Sequence, residues 1–325
     1  MKRALFFLFL YLPFGLVLAG DDLLGALSRM QSALQTLNYQ GTLVFWDENE
    51  VRSMRLIHKA DQNGEIERIV NLKGVAREVI RKNDVVTCYL PDSKSVTVGK
   101  QHSGKGWLSN LVGSDFATFQ AYYDFQLEGD DRVAGYAAQR VLIRPKDAYR
   151  YGYRLWLDKG TDLLLKSDLL NEEGKPLEQM MFAELDVVDN INAAMLQPTT
   201  NSDGFTWYED NEQAPVVEAN DGQWRIGQLP EGFKVVKYTR HPLPGSEVLA
   251  DHIMVSDGMA SVSVFIEKLA DEKNVFKGPF HKGAANVYGA VVDGHQVTVV
   301  GEVPSATVEM IASSIQPKDQ EAGHD

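Results

Sequence analysis

The stretch from residue 151 to residue 170, YGYRLWLDKGTDLLLKSDLL, decides the fold. Tyr153, Leu155 and Leu157 alternate with Arg154 and Trp156, so one face of the segment is apolar and the other is mixed, as in a β-strand. Residues 158–160, DKG, form a turn signal, and a second apolar run begins directly after it. The stretch therefore predicts an antiparallel hairpin.

The same pattern of short alternating runs separated by turns extends to both sides of this hairpin. A connection of a few residues joins antiparallel strands, and a single long sheet of this kind must curl or close. An apolar stripe at helical spacing over residues 23–37 predicts one helix in front of the sheet, and residues 104–119 read as one or two short helices. The predicted strands of this first domain are 41–46, 52–59, 65–71, 76–81, 85–90, 95–98, 123–128, 137–144, 151–157, 163–170 and 177–187.

A second, smaller unit follows a break in the pattern. We predict a first domain over 20–195, an acidic linker over 196–223, a second domain over 224–317 and a disordered tail over 318–325. The second domain shows strands at 234–239, 249–256, 261–269, 286–292 and 296–302, followed by a short helical stripe. The predicted fold class is α+β: a large curled antiparallel sheet with covering helices, and a smaller antiparallel sheet-and-helix domain.

Length and charge narrow the functional classes. The chain has 325 residues, enough for two domains with their own cores. Its formal net charge of −13 gives it no broad electrostatic footprint for nucleic acid, so we expect no nucleic-acid partner.

The first 19 residues have the layout of a secretory signal peptide. Lys2 and Arg3 precede an apolar run, and residues 17–19, VLA, offer small side chains for cleavage after Ala19. We expect the mature protein to lie in the periplasm. Cys88 is the only cysteine of the sequence, so the chain forms no internal disulfide, and its setting favours a buried apolar role.

Motifs that carry chemistry are absent from the sequence. It contains no phosphate-binding loop, no dinucleotide fingerprint, no paired CxxC and no nucleophile elbow. The seven histidines lack metal-ligand spacing. We therefore expect no enzymatic activity, no metal and no cofactor.

The aromatic residues of the first domain say more about function than the missing motifs do. Each is compatible with plain core packing, yet together they suit the lining of an apolar cavity in a curled sheet, where each buried CH₂ of an acyl chain contributes about 0.8 kcal/mol. The candidates for such a lipid cavity are Trp46, Trp107, Phe116, Phe119, Tyr122, Tyr123 and Trp156.

A set of short motifs in a fixed order resembles the periplasmic sigma-E factor regulatory proteins of the RseB/MucB family. The resemblance spans Leu23 to Ile315. The motifs are 37–39 (LNY), 76–79 (AREV), 122–125 (YYDF), 153–158 (YRLWLD), 167–170 (SDLL), 229–233 (LPEGF), 240–244 (RHPLP), 256–258 (SDG) and 300–304 (VGEVP). Met259 follows the SDG motif where the family is expected to have Leu, a conservative change.

This resemblance implies a fold and a function. The first domain would be an unclosed barrel of the LolA/LppX type. The protein would bind the periplasmic part of a membrane-spanning anti-sigma factor and shield it from proteolysis, and lipid, lipopolysaccharide or mislocalised lipoprotein would relieve the inhibition. In pseudomonad-like relatives the pathway also governs alginate production. The candidates for partner contact lie in the second domain: Arg240, Pro242, Leu243, Pro244, Ser256, Asp257 and Gly258.

Two other functions remain open from the sequence. A periplasmic lipid or lipoprotein carrier would use the same cavity for transport, and a hydrolase would need scattered histidines or carboxylates to converge in a cleft. The sequence also leaves homo-oligomerisation open.

Overall fold

The computed structural model describes residues 19–48, 50–100, 115–209, 222–242, 248–269 and 275–318. The predicted signal peptide, apart from Ala19, lies outside these ranges, as do Trp107, Leu243, Pro244 and the tail beyond Lys318. Within the described ranges no helix is both long enough and apolar enough to cross a membrane.

The first domain is built on a sheet that has 12 strands in the described residues. Their order across the sheet is β12-β6-β5-β4-β3-β2-β1-β11-β10-β9-β8-β7, so β7 and β12 are the end strands. The strands are β1 (Asn38–Asp47), β2 (Val51–Asp61), β3 (Gly64–Asn71), β4 (Glu78–Lys82), β5 (Val85–Leu90), β6 (Ser95–Lys100), β7 (Tyr123–Val133), β8 (Tyr136–Pro145), β9 (Gly152–Asp158), β10 (Leu164–Leu170), β11 (Pro176–Val188) and β12 (Thr206–Glu209).

Helix α1 (Ala19–Thr36) lies inside the curl of this sheet. It contacts β2, β7 and β10, which are well separated in strand order, and β7 also contacts β11. A flat sheet cannot bring such distant strands to one helix, so the sheet wraps around α1. The predicted apolar stripe of α1 is buried against it, with Leu27 and Met30 completely covered.

The segment after β11 crosses the outer face of the sheet before it returns to the edge. Leu196, in a short 3₁₀ turn, packs on Ile57, and the Glu78 carboxylate accepts hydrogen bonds from the backbone N–H groups of Thr199 and Thr200. Residues 206–209 then pair in parallel with β6. The predicted linker 196–223 is therefore attached to the first domain through residue 209, and 210–221 lie outside the described residues.

The second domain has a six-stranded antiparallel sheet within the described residues, in the order β14-β15-β16-β19-β18-β17. Its elements are β13 (Trp224–Ile226), β14 (Lys234–Pro242), β15 (Leu249–Ser256), β16 (Ser261–Lys268), β17 (Gly278–Lys282), β18 (Ala285–Val292), β19 (His295–Gly301), α3 (Ser305–Ser313) and β20 (Ile315–Pro317). The predicted turn at Asp293-Gly294 is confirmed. Both residues have positive φ, as the two-residue hairpin turn requires.

Helix α3 packs on β18 and β19 and closes the second core. The other helix of the first domain, α2 (Phe116–Phe119), has only four residues. The described protein is therefore mostly β with few helices. The prediction of a large and a smaller sheet is confirmed, with one correction, because β12 joins the large antiparallel sheet in parallel. The helical content implied by an α+β class was too large.

Candidate functional site

The domain interface contains a buried polar cluster centred on Arg150. This side chain is completely buried in the loop between β8 and β9 of the first domain. Its Nη1 donates to the Asp257 carboxylate of the second domain at 2.9 Å, and its Nη2 donates to the backbone carbonyl of Glu231. Asp147, from the same loop, lies 3.1 Å from Nη2. One cation therefore joins two segments of the second domain to the first.

Aromatic rings surround the Arg150 guanidinium. Its central carbon lies 4.9 Å from the ring centre of Tyr122, 5.6 Å from that of Tyr123 and 5.0 Å from that of Phe233. Rings at these distances attract a cation and keep water away from it. Gly232 has a positive φ and approaches the Tyr122 ring so closely that a Cβ there would lie 2.6 Å from it.

The Asp257 side chain is held from both domains. One carboxylate oxygen accepts the backbone N–H groups of Met259 and Ala260, which forms the turn between β15 and β16. The other oxygen accepts the Arg150 guanidinium and the Tyr123 hydroxyl, the latter at 3.2 Å. Burial first, and then the neighbouring Asp257 charge, hold the pKa of Tyr123 well above its usual value, so this hydroxyl stays a donor.

The tip of the same turn enters the core of the first domain. Met259 is completely buried and belongs to the hydrophobic cluster formed by α1, α2 and the curled sheet. A Cβ on Gly258 would lie 2.8 Å from the Phe119 ring, so this backbone approaches α2 without room for a side chain. The second domain is thus anchored by an apolar side chain next to the buried ion pair.

The predicted cavity residues fall into three groups. Phe116, Phe119 and Tyr123 are buried in the core, where their rings meet edge to face, and Tyr122 is half-buried at the domain interface. Trp46 and Trp156 lie on the opposite strand faces from Leu43 and Leu155. Trp46 is 37% exposed, whereas Trp156 is buried in the same hydrophobic cluster as Phe116 and donates its indole N–H to Asp131. Trp107 is outside the described residues.

The predicted partner-contact residues do not form one exposed surface. Ser256 and Asp257 are buried at or next to the domain interface and hydrogen-bond within this chain, and Gly258 faces α2. Arg240 and Pro242 lie on the edge strand β14. The Arg240 Nε is 4.0 Å from an Asp251 carboxylate oxygen. Leu243 and Pro244 are outside the described residues.

Sequence reasoning missed Arg150, the centre of the cluster. Three of the sequence motifs, residues 122–125, 229–233 and 256–258, do contain residues that contact Arg150. The available signal was the segment 149–151, YRY, in which one arginine stands between aromatic residues just before a strand. A lone cation in such a setting is either exposed or paired, and only the fold shows which.

This geometry defines a class of protein: a two-domain β protein whose interface contains a buried ion pair and an apolar anchor. Two family models then match along the chain, the MucB/RseB N-terminal domain over residues 22–200 and the MucB/RseB C-terminal domain over 218–316. The chain belongs to the MucB/RseB family, which is a regulatory and not an enzymatic family.

Curated relatives and solved structures agree with this assignment. The chain is 30% identical over 307 residues to the sigma factor AlgU regulatory protein MucB of Pseudomonas aeruginosa, and 28% identical over 298 residues to the sigma-E factor regulatory protein RseB of Haemophilus influenzae. Each match covers 90% of both chains. A crystal structure of MucB in complex with MucA(peri) matches 91% of this chain and 99% of that chain, with 28% identity and a TM-score of 0.72.

A crystal structure of MucB alone matches 92% of this chain and 99% of that chain at a lower TM-score, 0.64, and 28% identity. Structures of the LolA superfamily and of LppX match just over half of the chain with TM-scores of 0.26 and 0.31. At these scores the likeness of the first domain to lipoprotein carriers stays a prediction.

Proposed function

We propose that this protein is a periplasmic negative regulator of an alternative sigma factor. It binds the periplasmic part of a transmembrane anti-sigma factor and shields that part from regulated proteolysis. The observation that carries the proposal is the match of both domains, over 90% of the chain, to MucB, which has been crystallised with MucA(peri). The signal-peptide pattern of residues 1–19 supports the periplasmic location.

The second domain supplies the partner surface in this proposal. Its edge strand β14 pairs only with β15 among the described strands, and it carries Arg240 and Pro242. Val235 and Val236 on the same strand are exposed. An edge strand with exposed apolar side chains suits the addition of an extended segment from a partner.

The ligand-responsive step takes place in the first domain. The concave side of the sheet is occupied by α1 and by the α2 aromatics, so an acyl chain entering there must displace Phe116 or Phe119. Phe119 touches Tyr123 on one side and faces Gly258 on the other, and Tyr123 donates to Asp257. Displacing these rings therefore loosens the contacts that dock the second domain. If the anti-sigma factor binds the docked arrangement more tightly, then lipid, lipopolysaccharide or mislocalised lipoprotein weakens its binding and relieves the inhibition.

The test is a binding titration with the mature chain, residues 20–325. The probe is the periplasmic segment of the anti-sigma factor from the same organism, and the competitor is a lipidated peptide, with the same peptide without its lipid as control. We expect tight binding that only the lipidated peptide weakens. Lipid binding without any binding of the segment would overturn the proposal and favour a carrier.

A variant tests the coupling separately. Arg150→Met breaks the buried ion pair, so it should lower the affinity for the segment and leave the lipidated peptide little further effect. Arg154→Met is the matched control, because its partner Glu128 lies at 2.6 Å in a partly exposed pair within the first domain. Equal behaviour of the two variants would remove Arg150 from the coupling mechanism.

A further inference from the structure

A further contact between the domains involves Tyr151, Leu169 of β10 and Glu178 of β11. The turn between β17 and β18 of the second domain reaches the first domain there, and Ala284 in this turn is completely buried against Tyr151 and Leu169. The Asn286 side-chain amide donates to the Tyr151 hydroxyl at 2.9 Å and to the Val303 carbonyl at 2.8 Å. These contacts fix the turn on the first domain.

The Glu178 carboxyl of β11 faces this turn. It accepts the backbone N–H of Ala284, and a Cβ on Gly283 would lie 3.9 Å from one of its oxygens. Glu178 is half-buried, and Glu302 of the second domain faces it with the same charge. Burial raises the pKa of Glu302 as well, so the two carboxyls form a like-charge pair across the interface.

The charged groups around Glu178 do not neutralise the negative charge of its ionised form. Asp47 adds a second negative charge from the first domain, and the nearby cation Arg52 is itself paired with Asp47 at 3.1 Å. Tyr151 and Tyr153 lie close by as uncharged hydroxyls, with pKa values raised first by burial. The turn of the second domain also carries His281 and Lys282, both of which are exposed.

We propose that Glu178 is a pH-dependent lock between the two domains: its protonated form favours the docked arrangement, and its ionised form, facing Glu302, weakens it. Undocking exposes Glu178 to water and removes Glu302 from its vicinity, so the docked state binds the proton more tightly. By linkage, docking is then favoured at low pH and is weakened as the pH rises through the docked-state pKa.

The size of the effect follows from the same linkage. Burial, then Glu302 and Asp47, raise the pKa of Glu178 from 4.5 to about 7 in the docked chain. If undocking restored the ordinary value fully, the docking equilibrium would fall up to about 30-fold between about pH 5.5 and about pH 8. Asp47 and part of the burial remain after undocking, so we expect a decrease of about tenfold.

The test is amide hydrogen exchange of the mature chain at about pH 5.5 and about pH 8, corrected for the intrinsic exchange rate. The Ala284 N–H is protected only while it donates to Glu178 across the interface, so its protection should fall about tenfold at the higher pH. The amides of Val297 and Val299, in the core strand β19, report the stability of the second domain itself and should not follow this fall. Wild-type protection of Ala284 that is equal at both pH values would overturn the proposal.

Two variants and one control complete the experiment. Glu178→Gln keeps an oxygen for the Ala284 N–H but cannot ionise, so the pH dependence should vanish. Glu302→Gln removes the facing charge, so the midpoint should move to lower pH. Glu184→Gln, on the same strand with an exposed side chain, should behave as the wild type. A full pH response in Glu178→Gln, or an unmoved midpoint in Glu302→Gln, would contradict the lock. No lipid or partner is present, so the result is independent of the proposed function.

Discussion

Replacing Arg150 by methionine is the sharpest test of how the domains are held together. Methionine fills a similar volume beside the aromatic rings but leaves the buried Asp257 carboxylate without a cation. Removing one partner of a buried ion pair costs about 3–5 kcal/mol. Asp257 keeps three other donors, the Tyr123 hydroxyl and two backbone N–H groups, so we expect a cost at the lower end of this range. A loss of about 3 kcal/mol corresponds to about a 150-fold weaker docking equilibrium.

Urea denaturation and small-angle X-ray scattering measure this effect together. We expect the Arg150→Met protein to lose about 3 kcal/mol in its first unfolding transition and to show a larger radius of gyration as the domains separate. The double variant Arg150→Met/Asp257→Asn removes the uncompensated charge and should regain part of the loss. Arg154→Met breaks a pair that lies within the first domain, so it should leave the radius of gyration unchanged and lose less than Arg150→Met.

Two results would refute this reasoning. One is a loss of less than about 1 kcal/mol in Arg150→Met, which would show that the buried ion pair contributes little to docking. The other is a double variant that is no more stable than Arg150→Met, which would show that the uncompensated Asp257 charge is not the source of the cost.

Three further predictions concern the linker, the interface and the concave core. Burial raises the pKa of Glu78, but hydrogen bonds from Thr200, Thr199 and Arg68 outweigh this effect and hold the pKa at about 2. The stabilisation that ionised Glu78 contributes should therefore be lost as the pH falls below about 4.5. In urea denaturation, Glu78→Gln should lack this acid dependence. Gly232→Ala should weaken docking, seen as a larger radius of gyration, whereas Gly174→Ala, also at positive φ but with open space, should not. Leu27→Ala should lower the free energy of unfolding by about 2–5 kcal/mol, because its side chain is completely buried under the sheet; a smaller calorimetric effect would mean that α1 does not fill the concave side.

Local patterns predicted most of the secondary structure because the side chains that set them are close in sequence. The apolar stripe of residues 23–37 predicted α1, and alternation over 151–157 predicted β9 with Trp156 and Leu155 on opposite faces. The turn at Asp293-Gly294 needed only the preference of these residues for positive φ. In each case the governing contacts span a few residues.

Long-range pairing could not be predicted in the same way. Strand β1 pairs with β11 across more than a hundred residues, and nothing in either strand alone selects that partner. Residues 206–209 looked like part of an acidic linker, yet their backbone adds a parallel strand to β6. Arg150 was missed for the same reason, because its partners Asp257 and Glu231 are remote in sequence.

The contacts between the domains do not all favour docking, and this balance matters for a regulator. The Arg150–Asp257 pair and the Met259 anchor stabilise the docked arrangement, whereas the ionised Glu178 facing Glu302 opposes it. A ligand shifts an equilibrium only by its differential affinity for the two states, and moving a population from one side to the other takes about 5.5 kcal/mol. A like-charge contact between Glu178 and Glu302 lowers the net docking free energy, so a smaller differential affinity suffices to shift the docking equilibrium.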